Sequence, residues 1–353
     1  MISLSSIPNL APKALITPGG FLWWYLDIID QEGNGLVLIW SFGLPFLPNY
    51  ANSARKGIAP APKSRPSLVL SIYQNFQQEC YLFQEYEEAD ASWESNSWTF
   101  DRTSISSTSK TLNISLHMSI PNTDLVITGD IAVEGTSRSN GSRLHDTPHE
   151  WVPLLMPAKG QFHLQAGDLK YTGTGRAYHD HNSSLVPLHD LNIERWWWGR
   201  IALPDREWIW YSLLPKDHSP RIDISISVTD AGETEIHDVA ATDLQKLSKS
   251  IFGLSAPKSF HIETPWKERV LVNVCSTIDD GPFYQRYMIT TNTTIGSGFG
   301  YAEQVVPDCV DNNWIRPLVQ MRVANPQRNS FWLPLFCGPQ KGRWGRLFGQ
   351  IFR

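Results

Sequence analysis

From Leu112 to Ile120 the apolar residues Leu112, Ile114, Leu116, Met118 and Ile120 alternate with Asn113, Ser115, His117 and Ser119. A period of two puts one set on each face of a half-buried antiparallel strand. Arg221–Asp230 repeats the pattern with Ile222, Ile224, Ile226 and Val228. The same reading predicts strands at Gly35–Phe42, Ser67–Tyr73, Tyr81–Tyr86, Leu125–Val133, Gly160–Gln165, Asp168–Tyr178, Arg195–Ile201, Trp208–Leu214, Val270–Ser276 and Phe283–Thr291. Turn-rich breaks separate them, as in β-sandwiches and barrels. Only Thr242–Phe252 reads as helix: Leu244, Leu247 and Ile251 recur at three- and four-residue spacing, and Gly253 follows. Ala51–Pro66 and Gly135–Pro148 read as loops. The expectation is an all-β chain of two antiparallel units, residues 1–187 and 188–353, meeting near Leu185–Asp190 between two runs of strands.

Composition sharpens this picture. At 353 residues the chain has room for about two domains. Its hydrophobic content of 41% against 18% charged residues argues for a packed globule. Fifteen Trp, 15 Phe and 11 Tyr suit strands, and aromatic bodies line apolar ligand sites. A net charge of -5, with no basic stripe, argues against nucleic-acid binding. Cys80, Cys275, Cys309 and Cys337 are widely spaced, which predicts reduced thiols rather than a disulfide or zinc framework. The segment Met1–Lys13 has no signal-peptide pattern, and the apolar run Leu36–Leu47 is too short and too interrupted for a membrane helix. A cytoplasmic protein is expected. The basic and aromatic C-terminus (Lys341, Arg343, Trp344, Arg346, Phe348, Phe352, Arg353) fits either a strand end or contact with a membrane surface.

Candidate chemistry centres on Tyr178-His179-Asp180-His181-Asn182. On a strand Tyr178, Asp180 and Asn182 face one way, and His179 and His181 the other. Upstream, His149 and Trp151 share a face, so two such pairs converge on one cavity with an imidazole, an indole, a phenol and a carboxyl group. A carboxyl group walled by aromatics is disfavoured in its charged form and serves as an acid near neutral pH. Aromatic faces stabilise a cation. These are the parts for protonating an unactivated C=C bond. The plainer reading is a buried polar network closing a barrel end. His179-x-His181, with His189 or Asp190 as a third ligand, is a weak metal alternative. No G-x-S-x-G, P-loop or H-E-x-x-H motif is present.

Several motifs resemble those of the carotenoid 1,2-hydratase and lipocalin-like hydratase/cyclase family. Trp23-Trp24-Tyr25-Leu26-Asp27, then a hairpin and Phe42-x-x-x-Phe46, is similar to the family's opening. His149-x-Trp151-x-Pro153, Gly175-x-x-Tyr178-x-Asp180-x-Asn182 and Arg195-Trp196-Trp197-Trp198-Gly199-Arg200 resemble three further elements in order. Gly281-Pro282-Phe283-Tyr284-x-Arg286 is similar to the family's A-P-F-Y-x-R, with Glu303 in a matching acidic position. The chain departs from the pattern at Ala177, an extra residue, and at Ser183-Ser184.

The resemblance implies two lipocalin-like barrel or sandwich domains around an apolar site. It maps the catalytic group onto Asp180, Tyr178, His149 and Trp151, with Asp180 protonating a terminal isoprenoid double bond and water capturing the cation. Trp24, Tyr25, Asn182, Trp196, Trp198, Phe283 and Tyr284 would bind the substrate. No cofactor or metal enters, and the only partner implied is a hydrophobic small molecule. Two rivals stand beside this enzyme: a Diels–Alder type cyclase that folds a polyene, and a non-catalytic lipophile carrier.

Overall fold

The computed structural model describes residues 3–5, 9–136, 148–238, 243–250, 254–311, 313–314, 316–325 and 332–339. Two curled sheets make up nearly all of it. The first takes the strands from Phe21–Ile29 to Leu169–Ser184, and the second those from Ile193–Ala202 to Gly296–Val305. Among the described residues pairing is antiparallel except where Ser3–Leu4 runs parallel to Glu150–Trp151 and at the parallel bridge between Gln84 and Ala324. The chain then returns: Gly338 and Pro339 pair with Tyr81 and Cys80 on the edge of the first sheet, and Ala324 exchanges backbone hydrogen bonds with Phe83 (2.8 Å) and Glu85 (2.9 Å).

The strand Phe21–Ile29 explains how the sheets pack. All nine of its positions are buried. Leu22, Trp24, Leu26 and Ile28 enter the core enclosed by the first sheet. Phe21, Trp23, Tyr25 and Ile29 enter a second core shared with Trp196, Trp198, Ile209 and Tyr211 of the second sheet. A strand covered on both faces has no polar side to alternate with, so it reads as a continuous apolar run. Residues Trp197, Ile201, Trp208, Trp210 and Phe260 fill a third core inside the second sheet.

Most predicted strands are present, several of them longer than expected. His149–Ala166 and Leu169–Ser184 form one long hairpin whose register shifts around Pro153–Ala158. The predicted helix is corrected. Asp243–Lys249 is a strand, paired with Ser255–Glu263 so that Leu244 opposes Phe260 and Leu247 opposes Pro257; Thr242, Ile251 and Phe252 lie outside the described residues. An isolated helix of this length gains little, whereas the following strand offers a backbone partner. The predicted loop Ala51–Pro66 is also corrected in part, because it begins inside the helix Pro48–Arg55, with Pro48 in the first turn. Residues 137–147 of the second loop and the basic, aromatic segment 341–353 are outside the described residues. All four cysteines are free, Cys80 and Cys337 buried. Among the described residues no helix is long and apolar enough to cross a membrane.

Candidate active site

A cavity of about 170 Å³ opens between the two sheets. Its walls are mostly aromatic: Trp23, Tyr25, Phe46, Trp196, Trp198 and Tyr211 face it, with Phe283 and Tyr284. Phe46 bridges the sheets by stacking on Phe283 at 5.4 Å and lying 5.9 Å from Trp196. Five charged groups break this apolar surface: Asp180 from the first sheet, Asp279, Arg286 and Glu303 from the second, and Arg322 from the segment that follows it.

Asp180 is placed by the strand Leu169–Ser184, whose alternation sends Tyr178, Asp180 and Asn182 to the inter-sheet side. Trp151 Nε1 and Tyr178 OH each donate to Asp180 Oδ2 at 2.8 Å. Among the described residues Oδ1 has only Asn182 Nδ2, at 3.5 Å. Asp180 is 4% exposed. Burial raises its pKa to about 7, against the lowering influence of the Trp151 and Tyr178 donors; the nearby Glu303 adds to the rise. Both strong donors hold Oδ2 as an acceptor, so the acid proton belongs on Oδ1.

The predicted residues sort into three groups. Asp180, Asn182, Tyr25, Trp196, Trp198, Phe283 and Tyr284 line the cavity. Tyr178 and Trp151 stand behind Asp180 and position it. His149 and Trp24 do not face the cavity. His149 is fully buried one strand pair beyond Trp151, against Phe21 at 5.7 Å and Trp23 at 6.4 Å. Burial drops its pKa to about 3, so it is a neutral ring beside Asn182. Trp24 points into the first core, stacked on Trp40 at 6.2 Å and 4.6 Å from His181. The reason is parity: Trp24 and Tyr25 are adjacent on one strand and cannot share a face. Trp23 takes the place expected of Trp24.

His179 and His181 share the inner face with Trp24. His179 stacks on Trp40 at 5.2 Å and its Nδ1 meets the Tyr25 carbonyl at 2.8 Å. Burial lowers the pKa of both imidazoles. Among the described residues no cluster of three His, Cys, Asp or Glu side chains has the geometry to hold a metal ion.

The second sheet contributes a polar cluster that sequence reasoning recognised only in outline. Arg286 donates from Nε to Glu303 Oε1 (2.8 Å), and from Nη1 to Tyr73 OH (2.6 Å) and Asp279 Oδ2 (2.9 Å). Tyr284 OH also donates to Glu303 Oε1, at 2.6 Å. Asp279 further accepts from Tyr73 OH at 2.6 Å and from Gln78 Nε2. Tyr73 and Gln78 belong to the first sheet, so the cluster ties the two sheets together at the cavity floor. Arg286 and Glu303 were visible as motif positions, but nothing in the sequence joined them to Asp279 nearby or to Tyr73, 213 residues before Arg286.

The wiring of Asp180 leads to a test. A hydrogen bond to a charged acceptor contributes about 1.5–3 kcal/mol, or roughly 1–2 pKa units. Tyr178→Phe removes one donor that favours the carboxylate. The pKa of Asp180 is therefore expected to rise by roughly 1–2 units, followed by titration of its carboxyl carbon in NMR spectra. A value that stays in place or falls would show that Tyr178 does not set the acidity of Asp180.

Two curled sheets closing on an aromatic hollow define a lipocalin-like β protein with an internal apolar site. Solved structures bear out the fold. A protein assigned as AttH from Nitrosomonas europaea superposes with a TM-score of 0.59 at 14% identity, covering 81% of this chain and 92% of that one. CghA superposes with a TM-score of 0.54 at 10% identity, covering 82% and 88%. The chain belongs to the carotenoid hydratase CrtC family, whose model matches residues 38–332. It is 25% identical over 314 residues to the hydroxyneurosporene dehydrogenase of Chlorobaculum tepidum, covering 80% of each chain. It is 23% identical over 296 residues to the acyclic carotenoid 1,2-hydratase of Thiocapsa roseopersicina, covering 78% of this chain and 66% of that one. Membership makes the chain an enzyme of the hydratase–lyase type.

Proposed function

We propose that the protein hydrates the terminal double bond of an acyclic isoprenoid polyene, with Asp180 as the proton donor. The observation that carries this reading is a carboxyl group buried in an aromatic cavity, its pKa raised to about 7, with both strong donors on one oxygen. The protonated acid gives its proton from Oδ1 to the less substituted alkene carbon. A tertiary cation forms next to Tyr25 and Trp198, whose ring centroids are 5.4 Å apart, and π faces stabilise such a charge. Water then adds. The apolar walls exclude bulk solvent, and this keeps the acid protonated near neutral pH.

The donor is active only while protonated. Hydration of an acyclic carotenoid is therefore expected to fall about tenfold per pH unit above the Asp180 pKa near 7. Mass spectrometry should show a product heavier than the substrate by one water. A product isomeric with the substrate would replace hydration by cyclisation. Recovery of unchanged, bound polyene at every pH would make the protein a carrier.

A further inference from the structure

The cavity holds a second carboxyl group whose surroundings contrast with those of Asp180. Glu303 Oε1 is occupied by Tyr284 OH and Arg286 Nε. Its Oε2 has no partner among the described residues, and the side chain, 13% exposed, lines the cavity. Asp279, the other carboxylate on Arg286, has both oxygens engaged. Glu303 is thus the carboxylate with an oxygen left for a ligand. It is also near the acid. Tyr25 pairs with Asp180 across the first sheet, Trp198 pairs with Glu303 across the second, and the two rings touch. Trp198 Nε1 is a buried donor on this same wall with no partner among the described residues. Arg286 faces two carboxylates, so the cluster carries one net negative charge toward a developing cation.

We propose that Glu303 is a second catalytic residue: the base that takes a proton from the water capturing the cation. This rests on the hydration reading above. The electron pair of the C=C bond takes the Asp180 proton, forming the new C–H bond and the tertiary cation. A water oxygen forms the C–O bond, and one of its protons passes to Glu303 Oε2, leaving a neutral tertiary alcohol. Transfer of that proton back to Asp180 through water resets both groups. The sum is one alkene plus one water giving one alcohol. Two carboxyls in opposed environments, one kept neutral by apolar walls and one ion-paired to a guanidinium, divide acid and base roles between them.

The test uses the full chain with lycopene, an acyclic carotenoid with terminal isopropylidene groups, in detergent micelles. Glu303→Gln keeps an oxygen for Tyr284 and Arg286 but cannot accept a proton. Its kcat is expected to fall by about 10²–10⁴-fold with KM little changed. The alkaline limb set by Asp180 should stay where it is in the wild type. Azide is a nucleophile that needs no deprotonation, and Arg286 would draw it into the space left by Glu303→Ala. That variant with sodium azide should form an azide adduct of lycopene, and Asp180→Asn/Glu303→Ala should form none. Near wild-type hydration by Glu303→Gln, or no adduct from folded Glu303→Ala, would overturn the proposal. Normal hydration by Asp180→Asn would instead remove the acid reading itself, whatever Glu303 does.

Discussion

Asp180→Asn is expected to lower kcat/KM for hydration of an acyclic carotenoid by about 10²–10⁴-fold at pH 6.5. The substitution is nearly isosteric, and its carbonyl oxygen can still accept from Trp151 and Tyr178, the two donors 2.8 Å from Oδ2. Packing is preserved. Burying a neutral amide avoids the cost of burying a carboxylate, so thermal stability should hold or rise slightly. The loss would then be chemical. Absorbance titration of the polyene should show wild-type binding, because the aromatic walls are untouched. A variant that binds and still hydrates at the wild-type rate would sink the acid role. One that loses binding and activity together would mark Asp180 as structural.

Arg200→Met should be the most damaging single change away from the cavity. Arg200 is fully buried and holds two carboxylates at once. Its Nε and Nη2 pair with Asp27 of the first sheet, Nε at 3.0 Å, and Nη1 pairs with Glu207. Its Nη2 also reaches the Arg176 carbonyl at 3.1 Å. Methionine fills much of the volume but leaves buried Asp27 without its cation and Glu207 with only Arg176 Nη2, at 3.5 Å, and breaking one side of such an arrangement costs about 3–5 kcal/mol. The midpoint of urea unfolding should fall accordingly. Arg200→Met combined with Asp27→Asn and Glu207→Gln removes the stranded charges and should recover most of the loss. If the triple variant is no more stable than the single one, packing rather than charge is what Arg200 supplies.

Most of the architecture was legible because local period-two patterns are set by sheet geometry alone. The same rule oriented the candidate site, since parity along Tyr178–Asn182 already put Asp180 beside Tyr178 and opposite His179. Ignoring it produced the Trp24 error. The strand Phe21–Ile29 is apolar on both faces, and hydrophobicity cannot say which face meets which core. Trp151 and Asp180 could be brought together on paper because a single hairpin carries both. His149 shared the parity of Trp151 but sits past the cavity's edge, a matter of position along the strand that alternation does not encode. Asp243–Lys249 failed for another reason: three apolar residues at helical spacing are a weak signal, and pairing with Ser255–Glu263 outweighed it. The Arg286 cluster required Tyr73, Gln78 and Asp279 to meet across the chain, which no local pattern announces.

The returning segment after Val305 bears on how such a protein can be divided. Ala324, Gly338 and Pro339 join the strand Gln77–Glu85, and Leu318, Val319 and Arg322 complete the cavity rim. A gene cut near Val186 would yield a leading fragment lacking a stretch of its own border and a trailing fragment with a tail that has nowhere to dock. Swapping halves between relatives would therefore need two crossover points rather than one, with the second carrying the tail alongside the half it fastens to.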